Sequence, residues 1–318
     1  MVTLIRSSLH GFAPVVQVLA TAASVLCLGC GGAAFDESDL LERVEALSSD
    51  AFEGRAVGTP GSMAAQKVIA DAFRSVRLDS LSPGYAAPFV FEDRDGDEVA
   101  GTNLAGRVSG TRYPDRYIVL SAHYDHLGVR EGEIYNGADD NASGTSAIIA
   151  IAEALMDDRP DHSVLVVAFD AEERGLRGAR AFVVDPPVPV QNLVANVNLD
   201  MVSRSTAGEL YAAGTYHYPE LRPILESVQP SGSVSLLFGH DRPEDGNQDW
   251  TNASDHGPFH AAGIPFVYFG VEDHPGYHTP EDDYGEITHD FYVDAVRTIL
   301  DAVEALDRAL ATGDAVAQ

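Results

Sequence analysis

Val164-Leu165-Val166-Val167-Ala168-Phe169, followed at once by Asp170-Ala171-Glu172-Glu173, is the stretch on which the fold turns. Six consecutive apolar residues suit a strand buried on both faces, as in parallel sheets covered by helices on each side. Working outward, Tyr117–Ala122 and Leu193–Leu199 read as strands of the same kind, and Gly144–Met156 and Gly178–Val184 between them as helices. Further strands are expected at 210–213, 233–238 and 264–269, with a long closing helix over Phe291–Leu310. This alternation predicts an α/β fold with a central mixed, largely parallel β-sheet flanked by helices on both faces.

Toward the N-terminus the pattern changes. Leu40, Leu41, Val44 and Leu47 recur at helical spacing, as do Ala65, Val68, Ile69, Ala72, Phe73 and Val76, while Gly54, Gly58, Pro60 and Gly61 force a loop between the two helices. Tyr85–Phe91 and Thr102–Val108 flank a polar run and read as a hairpin. Residues 30–318 are therefore expected to form a single domain that carries a helical and hairpin segment at 36–110.

The chain has 318 residues with 45% hydrophobic content, enough for one sizeable core. Its 49 Asp and Glu against 20 Lys and Arg give a net charge of -29. Such an excess repels phosphate backbones, so no nucleic-acid partner is expected. Residues 1–29 read as a signal peptide, with Arg6 ahead of a largely apolar stretch from Phe12 to Leu28 that contains Pro14. Leu28-Gly29-Cys30 is similar to a bacterial lipoprotein cleavage box, which implies a lipid anchor on Cys30 and an exported, membrane-tethered protein. A plain export signal and a secreted product are the alternative. Cys27 and Cys30 are the two cysteines, both in this leader, so the folded part has neither disulfides nor thiolate ligands.

Functional groups of open α/β sheets gather just past the carboxyl ends of the strands. His123-Tyr124-Asp125-His126, Asp170 to Glu173, and Asp200 all fall there. Singly, each has an ordinary structural explanation: a hydrogen-bonded histidine, a solvated turn, a helix cap. Three successive strands delivering such residues to one edge point instead to a site. The His123-x-Asp125 spacing predicts a carboxylate that accepts the imidazole's second N–H and fixes its tautomer. Gly137-Ala138-Asp139-Asp140-Asn141-Ala142-Ser143-Gly144 is a small-residue turn opening a helix, in which a carboxylate can approach a metal closely.

These motifs, together with Ala171-Glu172-Glu173-Arg174-Gly175, Asn198-Leu199-Asp200-Met201 and Tyr277-His278-Thr279-Pro280, resemble in their order the motifs of the M28 family of dizinc aminopeptidases. The resemblance implies a zinc-dependent exopeptidase fold, two Zn2+ ions and peptide substrates. It implies that Asp140 bridges the ions, with His123 and Asp200 completing one site and Glu173 and His278 the other. Glu172 would be the general base acting on a water activated between the ions, and Tyr277 a donor to the developing oxyanion. Asp125, Asp139 and Asp255 would stand behind the ligands, and His126 has no assigned role. The side-chain pocket is expected from the loops 203–217 and 237–252. Relatives on this scaffold also remove C-terminal residues or cleave dipeptides. A single-zinc glutaminyl cyclase and a non-catalytic binding module are the other readings.

Overall fold

A computed structural model of the chain describes residues 34–312. The leader and Cys30 lie outside the described residues. Helix α1 (Glu37–Leu47) starts at Asp36, whose carboxylate accepts from the backbone N–H of Ser38 and Asp39. Helix α2 (Pro60–Ser75) is capped by Thr59 and has proline at its first position, where no donor is lost. Strands β1 (Asp79–Ser80), β2 (Ala86–Glu92) and β3 (Glu98–Val108) follow, and β2 and β3 form the expected hairpin.

The remaining strands are β4 (Tyr113–His123), β5 (Gly128–Arg130), β6 (Glu133–Tyr135), β7 (His162–Phe169), β8 (Leu193–Leu199), β9 (Glu209–Ala213), β10 (Ser235–Phe238) and β11 (Phe266–Gly270). The remaining helices are α3 (Gly144–Asp157), α4 (Arg177–Val184), α5 (Leu221–Glu226), α6 (His256–Ala261) and α7 (His289–Thr312). The central sheet runs β1-β3-β7-β4-β8-β11-β9-β10, with β2 paired on β3. Its middle, β7-β4-β8-β11, is parallel, and antiparallel pairs join β3 to β7 and β9 to β11. The sheet is thus the mixed one expected. The hairpin does not stand apart, because β3 completes one flank of the sheet.

The two-residue period of the strands explains the layers. Ile118, Leu120, Val164, Val166 and Ala168 face the main core, with α3 and α7. Tyr117, Val119, Leu165, Val167 and Phe169 face a second core with residues of α4 and α6. With both faces covered, the carboxyl ends of β4, β7 and β8 open on one rim. At that rim Phe169 meets Phe182 edge-on at 5.5 Å and Phe259 at 6.2 Å.

Phe169 is fully buried one residue before the acidic turn. Phe169→Ala is expected to lower stability by about 3–5 kcal/mol, measured by urea unfolding with an unchanged m-value.

Candidate metal centre

The strand ends converge as the sequence reading expects. His123 ends β4, and its Nε2 lies 3.3 Å from Oδ1 of Asp200, just past β8, and 3.4 Å from Oδ1 of Asp140. The other oxygen of Asp140, Oδ2, lies 3.1 Å from Nε2 of His278 and 3.7 Å from Nδ1 of His126. Glu173 completes that second group: its Oε1 is 2.8 Å from His126 Nδ1 and its Oε2 is 3.6 Å from His278 Nε2. Asp140 therefore turns one oxygen to each group. Donor atoms of His123, Glu172 and Asp200 lie within 4.8 Å of one another, and so do those of His126, Asp140 and Glu173. His126, set aside in the sequence reading, belongs beside the second group. Its position three residues after His123 was the available signal.

Two expectations change. The second ring nitrogen of His123 faces the backbone carbonyl of Asp125 at 3.0 Å, not its carboxylate, which stands 3.7 Å away. That carboxylate accepts instead from the backbone N–H of Glu172 at 3.0 Å and Glu173 at 3.3 Å. The chain turns away after β4, so the peptide oxygen reaches the ring first, and Asp125 ties the two strand-end turns together. The cleft at the site is lined by Asn247, Gln248, Trp250 and Asn252 as expected, but by no residue of 203–217; Met201, Tyr268 and Val271 take that part.

The residues behind the ligands hold the turns in place. Asp282 accepts from the backbone N–H of Asp139 and of Asp140, each at 3.0 Å. Oδ1 of Asp139 accepts from the N–H and hydroxyl of Ser203, both at 2.7 Å, and its Oδ2 lies 3.2 Å from Nε2 of His274 on the loop that carries His278. Asn141 donates to the carbonyl of Leu199 and accepts from Gly144 N–H. Gly137 has φ 57°, and a Cβ there would stand 2.1 Å from the carbonyl oxygen of Asp140. Ala171 and Met201, the second residues past β7 and β8, also adopt left-handed φ values of 57°. That conformation turns the chain sharply and is held only where surroundings over-determine it.

Arg55 was not foreseen. It is fully buried, and its guanidinium donates to four backbone carbonyls: Tyr124 at 2.7 Å, Leu47 and Asn136 at 2.6 Å, and Gly137 at 2.9 Å. Burial pushes its pKa down to about 10, opposed by the nearby carboxylates of Asp140, Asp282, Asp125 and Glu173. It joins the end of α1 to both ligand-bearing turns.

The electrostatics test whether cations fit. Burial, with the carboxylates of Asp255, Asp200 and Glu173, raises Glu172 well above the usual range. Asp255, whose two oxygens are buried and lack hydrogen bonds, is pushed up to about 7 by burial and by Asp200. Burial works against a charged His278, but Asp140 and Glu173 raise it to about 10. Burial likewise opposes charge on His123, whose pKa is nevertheless raised by Asp200 and Glu172. Both ring nitrogens of His126 and Oε1 of Glu173 are buried without satisfying hydrogen-bond geometry. A buried surplus of carboxylate with orphaned imidazole nitrogens and no thiol fits a divalent metal with N and O preference, such as zinc. Tyr277 stacks on His278 at 3.9 Å and lines the same cleft of about 540 Å³.

Known proteins resemble the chain in sequence and in fold. The sequence model described as Peptidase family M28 matches residues 103–303. Aminopeptidase YwaD of Bacillus subtilis (strain 168) is 33% identical over 191 residues, covering 56% of this chain and 38% of that protein. Probable glutamate carboxypeptidase VP8 of Zea mays is 29% identical over 204 residues, covering 57% of this chain and 26% of that protein. The chain thus matches less than half the length of these relatives. Among solved structures, BSAP, a zinc aminopeptidase from Bacillus subtilis, matches with a TM-score of 0.70 at 20% identity, over 86% of this chain and 96% of that one. That likeness concerns the fold.

Two outcomes are expected. Arg55→Met leaves four buried carbonyls without their donor and should lower stability by about 3–5 kcal/mol in denaturant titrations; an unchanged midpoint would remove the clamp from the account. For zinc binding, a raised histidine pKa means that the metal-free chain still holds those protons at neutral pH. Zinc must displace them, so calorimetry in buffers of different ionisation enthalpy should show proton release. Affinity should rise with pH, about tenfold per unit for each proton displaced.

Proposed function

The chain belongs to peptidase family M28, and from that membership we propose that it is a zinc-dependent exopeptidase that releases residues from the N-terminal end of peptides, using two zinc ions. The observation that carries this reading is Asp140, one oxygen of which faces His123 while the other faces His126 and His278. His123 and Asp200 would hold one ion, Glu173 and His278 the other, with His126 beside it. Zinc bound there would acidify a water and polarise the scissile carbonyl.

The protein's own groups divide the remaining work. Glu172, whose proton affinity is raised by desolvation and by neighbouring carboxylates, is suited to take a proton during attack and return it to the leaving amine. Its backbone N–H is held by Asp125, which limits how far the carboxyl can swing. Burial and the carboxylates of Asp140 and Asp200 raise the pKa of Tyr277, so its phenol stays protonated and can donate to an oxygen that gains charge. The surplus of carboxylate attracts the cationic amine of a free N-terminus, which supports the amino-end reading. Export, with a lipid anchor on Cys30, is part of the proposal on the strength of the leader sequence alone.

The purified, zinc-supplemented protein should release amino acids from peptides with a free amine and spare their N-acetylated counterparts. Equal cleavage of both would end the amino-end reading. Glu172→Gln should lower kcat by about 10²–10⁴ with metal content unchanged. A variant that retains full kcat would remove Glu172 from the role of base. Metal analysis that finds one tightly bound zinc per chain would favour the cyclase reading instead.

A further inference from the structure

Several arginines of the described residues lack an acidic partner, and Arg77, Arg116, Arg159 and Arg242 do so away from the metal centre; what stands out is a group of such arginines beside it. Arg107 meets Asp79 at 3.2 Å, Arg204 meets Glu286 at 3.1 Å and Arg222 meets Glu226 at 2.7 Å. Arg94, Arg130, Arg174, Arg177 and Arg180 have no carboxylate within 4.0 Å among the described residues, and they stand together. Four of them line a cleft of about 470 Å³ that opens beside Glu173 and His278. Arg94 also lines the adjoining cleft that contains Glu172, His123 and Asp200, as does Arg180.

Their local contacts leave the guanidinium ends available. Nε of Arg177 donates to the carbonyl of Arg174, that of Arg180 to Gly175 and that of Arg130 to Leu127, at 3.1, 3.1 and 3.3 Å. Each inner nitrogen is spent on its own turn, and the terminal nitrogens remain. Arg177 lies over the ring of Phe91 and Arg130 over that of Tyr135, contacts that hold the planar groups in place. The acids in the same cleft are already engaged or aimed elsewhere. Asp93 accepts the backbone N–H of Asp95 and Asp97 within the hairpin tip, and Glu173 faces His126 and His278. Three carboxylates, Asp93, Asp95 and Glu173, line the cleft against four guanidinium groups, so positive charge is in excess there.

We propose that this cleft binds a carboxylate on the part of the peptide that leaves, supplied by the C-terminus of a short peptide or by an acidic side chain just beyond the scissile bond. The inference rests on the peptidase reading in that a peptide must lie across the metal centre. Its amino end and scissile bond would lie among the carboxylates, and its departing end would cross His278 into the arginine wall. A planar guanidinium matches a carboxylate with two parallel hydrogen bonds, and several such groups converging on one cleft reinforce one another. This gives the substrate a polarity, cationic end to acids and anionic end to arginines.

The test measures affinity as well as turnover. Zinc-loaded full-length Glu172→Gln is titrated calorimetrically with Leu-Ala and its C-terminal amide, then with Leu-Glu-amide, Leu-Gln-amide and Glu-Leu-amide. Each form with a carboxylate on the second residue should bind about tenfold more tightly than its neutral counterpart. Arg174→Gln combined with Arg177→Gln should bring the two within about twofold, at an unchanged unfolding midpoint, and in the protein with Glu172 intact the same contrast should appear in KM. Equal affinity for acid and amide, no binding of either, a preference for Glu-Leu-amide, or a contrast that survives the double variant overturns the proposal. Continued hydrolysis by Glu172→Gln would overturn the base assignment and leave the arginine contrast readable in KM.

Discussion

Repulsion among buried carboxylates is the constraint to which the rest of the structure answers. Asp140, Glu172, Glu173, Asp200 and Asp255 crowd one rim, and among the described residues Arg55 is the fully buried arginine behind them. Two such charges 4 Å apart, at the effective dielectric of a protein site, repel by about 4 kcal/mol. The acids fall into two kinds. Asp125 and Asp282 accept backbone N–H groups on both oxygens and lock turns together, and Asp139 does so through Oδ1 while its Oδ2 faces His274. Glu173 and Asp255 keep buried oxygens without such partners, and their charge is left for protons or for metal.

Rigidity follows from that division. The turns of Asp140, Glu172 and Glu173 have backbone donors consumed by Asp282 or Asp125, and Arg55 consumes carbonyls beside His123 and Asp140. The turns of Asp139, Asp140 and Gly137 are gripped from two sides, by Asp282 and by Arg55, and His274 near Asp139 draws in the loop of His278. A centre assembled in this way is positioned before any ligand arrives, because moving one donor breaks hydrogen bonds in two or three separate segments. The aromatic packing of Phe169, Phe182 and Phe259 under the rim gives the strand end a fixed base.

Much of this was legible in the residues. The all-apolar run ending at Phe169 signalled a doubly covered strand because nothing else in that stretch competes with burial. His123, Glu173 and Asp200 stood out because polar residues follow strands at the same rim, and Asp140 because it lies in a small-residue turn opening a helix, while their grouping as ligands came from the family resemblance. The partner of the second nitrogen of His123 was not legible, since spacing cannot tell a carboxylate from the peptide oxygen of the same residue. Arg55 was hidden for a related reason: its partners are backbone carbonyls, which every residue has. His126 escaped because its neighbour His123 already explained the motif. The arginines after Glu173 look in sequence like a solvated helix face, and only the fold shows that the hairpin tip with Arg94 and the β5–β6 turn with Arg130 come to meet them.

The grip of Arg55 also bears on how the protein comes into being. A ribosome delivers residue 55 early, yet its hydrogen-bond acceptors at 124, 136 and 137 appear some seventy to eighty residues later, and the carboxylate of Asp282 that completes the same cradle comes near the end. The guanidinium has no route to burial until β4 and the turn after it exist, and the Asp139–Asp140 turn has no final shape until the last quarter of the chain has emerged. Such long-range closures are slow to form and arrive together. The candidate site therefore takes its shape only when segments more than two hundred residues apart in sequence have come together.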